Sequence, residues 1–232
     1  MAIACYLAMT AAEFSACACL PPHIGWLACH FSSSGPGLSN MPKALPPDSV
    51  LILDDSTPFH DHNADVILGQ LQESVTLLHL RAVILDFQRE KNPEVQELVA
   101  VLQKRLPCPV AAPPEYALEN HPVFVAPCPL CRPLKEHLAP YLGRPVWLDA
   151  APLPIQITVT AKGSSCSAIS APGTDGLFHP EPALHCSYCI EPREDRVIFT
   201  LQRNDEQFGI WLQEAETLGV TAVVGLYQEF KK

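Results

Sequence analysis

Apolar residues fall along the chain in two patterns: short unbroken runs, and stripes spaced three and four residues apart. The runs are Ile3–Met9, Ile24–Phe31, Val50–Leu53, Ala82–Phe87, Val110–Ala112, Val123–Ala126, Val146–Leu148, Val197–Leu201 and Ala222–Leu226. They do not alternate apolar with polar. A strand of a parallel sheet is covered on both faces and needs such continuous runs.

The stripes predict helices. Asn92-Pro93-Glu94 reads as a helix start, with a side-chain cap, a proline at the first position and a carboxylate on the positive end of the dipole. Val95, Leu98, Val99, Leu102 and Leu106 follow on one face. Asn204 and Gln207 have capping-box spacing, ahead of Phe208, Trp211, Leu212, Ala215 and Leu218, with Gly219 as the stop. Asn63 caps a helix to about Leu80, and a shorter one over Pro133–Leu142 contains Pro140. Strands alternating with helices predict βαβ units.

The expected fold is an α/β, (β/α)8 TIM-like barrel, incomplete in helices, with an inserted β-hairpin region. Nine runs exceed an eight-stranded barrel by one. Either Ile3–Met9 and Ile24–Phe31 form a hairpin, or one run lies outside the barrel. Residues 1–232 read as a single domain. Positions 110–133 are proline-rich and leave little room for helices. Positions 152–196 read as the insertion, opening on the alternating Ile155–Thr160 and passing through a Gly/Ser-rich stretch. There is no G-x-G-x-x-G or G-x-x-x-x-G-K, so nothing marks a nucleotide-type phosphate cradle.

Composition narrows the function classes. Of 232 residues, 48% are hydrophobic and 17% charged, enough to bury a large core. The formal charge is −10 with scattered cations, which argues against nucleic-acid or anionic-membrane partners. Met1–Leu20 is apolar but carries Glu13 and no positive n-region, so it reads as mature protein rather than a signal peptide. The ten cysteines then read mainly as small buried hydrophobes in a reducing, cytoplasmic setting.

In parallel α/β folds, function gathers at the carboxyl ends of the strands. Those ends carry Asp54-Asp55, Asp86 and Gln88, Glu115-Tyr116, Asp149, Gln202, and Tyr227-Gln228-Glu229. A rim of carboxylates and amides suits polyhydroxy ligands or acid/base work. Taken singly, each carboxylate is more simply a helix cap or an ion-pair partner. The expected partner is a small-molecule or oligosaccharide ligand.

At Val83-Ile84-Leu85-Asp86-Phe87-Gln88 the chain resembles the barrel strand of chitinase-like glycosidases of family 18, which carries Asp-x-Asp-x-Glu. By position, Ile84 stands for the first Asp, Asp86 for the second and Gln88 for the catalytic Glu. The resemblance implies a TIM barrel and a sugar site without a cofactor, with Asp86 orienting the substrate's acetamido group. An amide at Gln88 cannot supply the catalytic proton. A related chain would then bind sugar without cleaving it, or use other carboxylates, with Asp55, Asp149 and Glu229 as candidates. Any activity would be that of a glycoside hydrolase.

Two further constellations give an alternative, a zinc-stabilised or metal-dependent protein. One is His60-Asp61-His62, with His30 within possible reach, although such a loop also suits helix capping. The other is the two Cys-x-x-Cys pairs, Cys128/Cys131 and Cys186/Cys189, as a shared zinc site. The second pair falls in an expected strand, where positions three apart face opposite ways. An assembly or scaffold role is the third reading.

Overall fold

The computed structural model describes residues 3–59, 63–151, 153–170 and 177–230. The chain opens with β1 (Ala4–Met9), a short helix α1 (Ala11–Ala16) and β2 (Ile24–Phe31). Thr10 and Glu13 form a reciprocal capping box that starts α1 directly after the strand. A two-residue strand β3 (Leu38–Ser39) folds back on β2. Then come β4 (Val50–Asp54), α2 (Ala64–Leu78), β5 (Ala82–Asp86) and α3 (Pro93–Arg105). Asn63 and Asn92 cap the two helices, as their sequence positions predict. Helix α2 ends on His79, whose φ of 51° directs its N–H to the Val75 carbonyl.

The helical coat thins after α3. β6 (Val110–Ala111) and β7 (Val123–Val125) are joined by turns alone. α4 (Leu134–Leu138) tightens into a 3-10 turn over Ala139–Tyr141, because Pro140 has no N–H for an α-helical bond. β8 (Val146–Ala150) follows. The chain then leaves the barrel for β9 (Ile155–Thr160), β10 (Gly163–Ala168), β11 (His179–Glu181), β12 (Cys186–Pro192) and β13 (Arg196–Gln202). It returns through α5 (Asp205–Thr217), β14 (Val220–Leu226) and a last turn of helix, α6 (Tyr227–Phe230). Both halves of the capping box between Asn204 and Gln207 are present at α5.

The main sheet runs β6-β5-β4-β2-β1-β14-β8-β7, with every neighbour parallel. Its two end strands meet. Ala112 and Val123 form a parallel bridge, and Phe124 N–H donates to the Ala112 carbonyl at 2.7 Å. The architecture is a TIM-like barrel with an uneven coat of helices. β1 and β2 are parallel neighbours, Leu7 opposite Ile24, so they form no hairpin. The run outside the barrel is Val197–Leu201. It belongs to β13, in a second, antiparallel sheet ordered β10-β9-β13-β12-β11. It reads as continuous because Phe199 and Leu201 pack inward while Thr200, on the opposite face, is also buried.

Alternation along each barrel strand sorts the core in two. Leu51, Leu53, Val83 and Leu85 face outward and pack on Ile67, Leu71 and Val75 of α2 and Leu98 and Leu102 of α3. Val50, Ile52, Ala82 and Ile84 face inward, with Tyr6, Phe124, Trp147 and Val224. Each fully buried aliphatic contributes roughly 1.5–3 kcal/mol. Tyr6 and Trp147 stack inside, 5.6 Å apart and 17° from parallel, and close the barrel's interior with aromatic rings. Among the described residues no helix is long and apolar enough to cross a membrane.

Candidate functional site

The inward register continues to the carboxyl ends of the strands. Asp54 and Asp86 are direct register partners on β4 and β5. They share strand parity with Ile52 and Ile84, so both fall on the interior side of the barrel wall. Asp149 on β8 has the parity of Trp147 and faces the same interior. Beyond these layers there is no more barrel to fill, and a polar side chain reaches water or a ligand instead of a dry core. Glu229 arrives from α6, immediately after β14.

Asp86 accepts a hydrogen bond from the Gln88 amide, Nε2 to Oδ1, at 3.1 Å. Burial raises the Asp86 carboxyl above its ordinary range, the Gln88 bond works against the rise, and the charges of Asp54 and Asp55 add to it. Asp149 is pushed up to about 7, by burial first and then by the charges of Asp86 and Glu229, while a bond from the Ala150 backbone opposes the rise. Burial also raises Glu229.

Asp55 has a different setting. Its carboxylate is buried and accepts two backbone N–H groups, from Gln88 at 3.0 Å and Arg89 at 2.8 Å. Arg89 returns the contact by donating to the carbonyls of Asp55 and Ser56. This clasp ties the loop after β4 to the loop after β5 and sets where Gln88 leaves the strand. Asp55 thus positions the site through the backbone.

A cavity of about 590 Å³ lies beside the clasp, lined by Asp55, Pro58, Phe59, Gln88, Arg89, Glu90, Asn92, Val95 and Tyr116. Tyr116 is buried, accepts from the Asn92 N–H at 3.2 Å and meets Phe87 edge-on. It is a wall of this cavity, and its neighbour Glu115 is exposed. A second concavity, of about 530 Å³, lies on the antiparallel sheet by His179, Tyr188 and Ile190, away from the clustered carboxylates.

The remaining sequence candidates are dispersed. Gln202 ends β13 in the antiparallel sheet and is no part of a barrel strand. Tyr227 lies in α6 with its hydroxyl 3.6 Å from the Cys17 thiol, and Gln228 is exposed.

The two cysteine pairs, expected from their spacing as a shared zinc site, lie in different surroundings. Cys131 is exposed, in the turn that leads to α4, whereas Cys128, Cys186 and Cys189 are buried. A closed zinc site needs all four thiolates turned to one point. Cys186 and Cys189 are three apart on β12 and face opposite sides of it, which parts the second pair. The buried thiols are used otherwise: Cys186 donates to the Leu130 carbonyl and Cys128 to the Arg132 carbonyl. Burial pushes Cys128 up to about 11 and raises Cys186 as well. Among the described residues, Cys128, Cys131, Cys186 and Cys189 included, no group of three or more His, Cys, Asp or Glu is arranged to hold a metal. His60-Asp61-His62 lies outside the described residues. His30 pairs in register with Asp54. Sequence reasoning missed the Asp55–Arg89 clasp and the cavity beside it. Both depend on contacts between separate loops, for which the sequence carries no local signal.

By sequence, no family model and no curated protein matches the chain. By structure, it is similar to a family 18 N-acetylglucosaminidase from Paenibacillus barengoltzii, at 9% identity and a TM-score of 0.60, covering 98% of this chain and 96% of that one. It is also similar to a variant family 18 chitinase from Cycas revoluta in complex with (GlcNAc)4, at 12% identity and a TM-score of 0.58, over 97% and 95%. A third likeness is to the spore cortex-lytic enzyme SleL of Bacillus megaterium, at 10% identity and a TM-score of 0.57, over 97% of this chain and 70% of that one. At such identities the likeness is one of fold. It is the fold of the chitinase-like barrels that the Asp86-Phe87-Gln88 strand resembles.

Proposed function

We propose that this chain is a carbohydrate-binding barrel of degenerate glycosidase type, a (β/α)8 barrel short of helices, whose ligand lies across the mouth over Asp86 and Gln88. The observation that carries the reading is the Gln88 amide donating to Asp86 at the carboxyl end of β5. A carboxamide donates and accepts hydrogen bonds but has no labile acidic proton. It serves sugar recognition and cannot protonate a leaving glycosidic oxygen. The structural relatives include an N-acetylglucosaminidase and a chitinase holding (GlcNAc)4, so N-acetylglucosamine oligomers are the first ligands to try.

Titration calorimetry with (GlcNAc)4 tests this. The expected outcome is saturable binding by the wild type, weakened at least about tenfold, or about 1.4 kcal/mol, in Asp86→Ala. Incubation of the same oligomer with the wild type is expected to leave it uncut. Dissociation constants weaker than about 1 mM, some 4 kcal/mol of binding, for N-acetylglucosamine oligomers and other soluble glycans alike would overturn the reading.

A further inference from the structure

We propose that Asp149 is the proton-bearing group of the barrel mouth, and that its neutral carboxyl donates a hydrogen bond to the bound ligand. The proton assignment stands on geometry. The ligand contact rests on the carbohydrate-binding reading above.

Asp149 is two residues beyond Trp147 on the same face of β8, and the Trp147 ring is stacked on Tyr6. The carboxyl is half-buried next to an aromatic filling that offers it little solvation. Among the described residues, the groups facing it carry no compensating charge. On β14, beside β8, the interior residues are Ala222 and Val224, with Leu226 packed against them. On β7 the interior residue is Phe124, and on β1 they are Tyr6 and Ala8. β5 presents Asp86, next to Asp54 of β4, and Glu229 comes from α6 after β14. The charges that act on Asp149 are those of Asp86 and Glu229, both negative. Clustered carboxylates in a poorly solvated space cannot all ionise, and the least supported one keeps its proton.

Gln88 decides which one that is. Its amide donates to Asp86 and so favours the ionised form there. Among the described residues, Asp149 receives the backbone bond from Ala150 alone against its burial and its two negative neighbours. The proton therefore rests on Asp149 up to about pH 7. A protonated carboxyl donates one hydrogen bond and still accepts others, which suits a sugar hydroxyl, acetamido carbonyl or glycosidic oxygen. Above the folded-state pKa the donor is lost and a third negative charge appears. Ligand affinity should then be full on the acid side and fall as pH rises through about 7.

Two measurements test this on the full chain. Carboxyl 13C NMR should show one aspartate titrating near neutrality. That signal should vanish in Asp149→Asn and titrate at lower pH in Glu229→Gln, where one repelling charge is gone. If the Asp149 carboxyl titrates below about pH 5, like an ordinary aspartate, the proposal is overturned. The second measurement is (GlcNAc)4 affinity from pH 6 to pH 8. It should fall several-fold in the wild type and stay flat in Asp149→Asn, whose amide donates at every pH. Binding that is flat with pH in the wild type overturns the ligand contact. If no variant binds at any pH, the carbohydrate reading fails, and the NMR titration alone decides where the proton sits.

Discussion

The molecule contains two sheets that solve the same problem differently. The barrel strands are buried on both faces: β4 and β5 each expose only the final aspartate to any degree. The antiparallel sheet leaves β10 exposed along its whole length and β9 exposed at its tip. A strand covered on both faces has no place for a polar side chain except at its ends. Its polar groups are therefore driven to one rim, where closure of the barrel brings them together. A half-open sheet spreads its polar residues along its outer face and gathers none. The difference explains why Asp54, Asp86 and Asp149 converge, while Gln202, also at a strand end, lies in the other sheet.

The sharpest way to break this comparison is to truncate one apolar side chain in each sheet. Leu85 is fully buried between β5 and the helices. Leu85→Ala should cost about 3 kcal/mol in urea denaturation, the transfer loss plus the cavity left behind. Val159 is 39% exposed on β9, and Val159→Ala should cost less than about 1 kcal/mol. Equal losses would mean that the two sheets are equally dependent on packing, and the contrast would fail.

A smaller effect separates two carboxylates within the rim itself. Asp55 satisfies two backbone N–H groups of the next loop. Asp55→Ala strands those donors in a partly buried place and should destabilise by about 2 kcal/mol. Asp86 is raised first by burial and then by its like charges, Asp54 and Asp55. Asp86→Ala should stay within about 0.5 kcal/mol of the wild type and show its effect in ligand binding instead. If thermal denaturation ranks the two variants the other way round, Asp86 is the structural group and the assignment of roles along the rim is inverted.

The sequence makes the barrel legible because its devices are local. Continuous runs mark strands covered on both faces, and Asn63, Asn92 and Asn204 mark helix starts that the structure keeps. The antiparallel sheet is less legible. Val197–Leu201 looks like a barrel strand because both of its faces are largely covered, one by Leu130, Cys186 and Ile157 around it and the other at Thr200. Nothing in five residues says which sheet supplies that cover. The rim residues are legible by position at strand ends, but their roles are not. Asp54 and Asp55 are adjacent in sequence, and strand parity turns one toward the barrel interior and the other into the loop clasp. The Asp-x-Gln spacing is visible in the sequence, while the hydrogen bond that ties Gln88 to Asp86 is a matter of rotamers. The Cys-x-x-Cys spacing is the same at Cys128/Cys131 and Cys186/Cys189, but one pair falls at a turn and the other along a strand, so spacing alone does not say which way the thiols face.

The smallest effect belongs to the open sheet. Arg193 and Glu191 form an ion pair at 2.7 Å at the end of β12, with both side chains more than a third exposed. Water screens such a pair, and holding two long side chains in one geometry costs entropy. Arg193→Ala should therefore change stability by no more than about 0.5 kcal/mol, an effect that shrinks further in high salt. Denaturation of wild type and variant at low and high salt measures this directly. A loss above about 1 kcal/mol that persists in high salt would show that this turn packs against something its exposure does not reveal. The antiparallel sheet would then be as tightly built as the barrel, and the convergence of polar groups on one rim would need a cause other than burial.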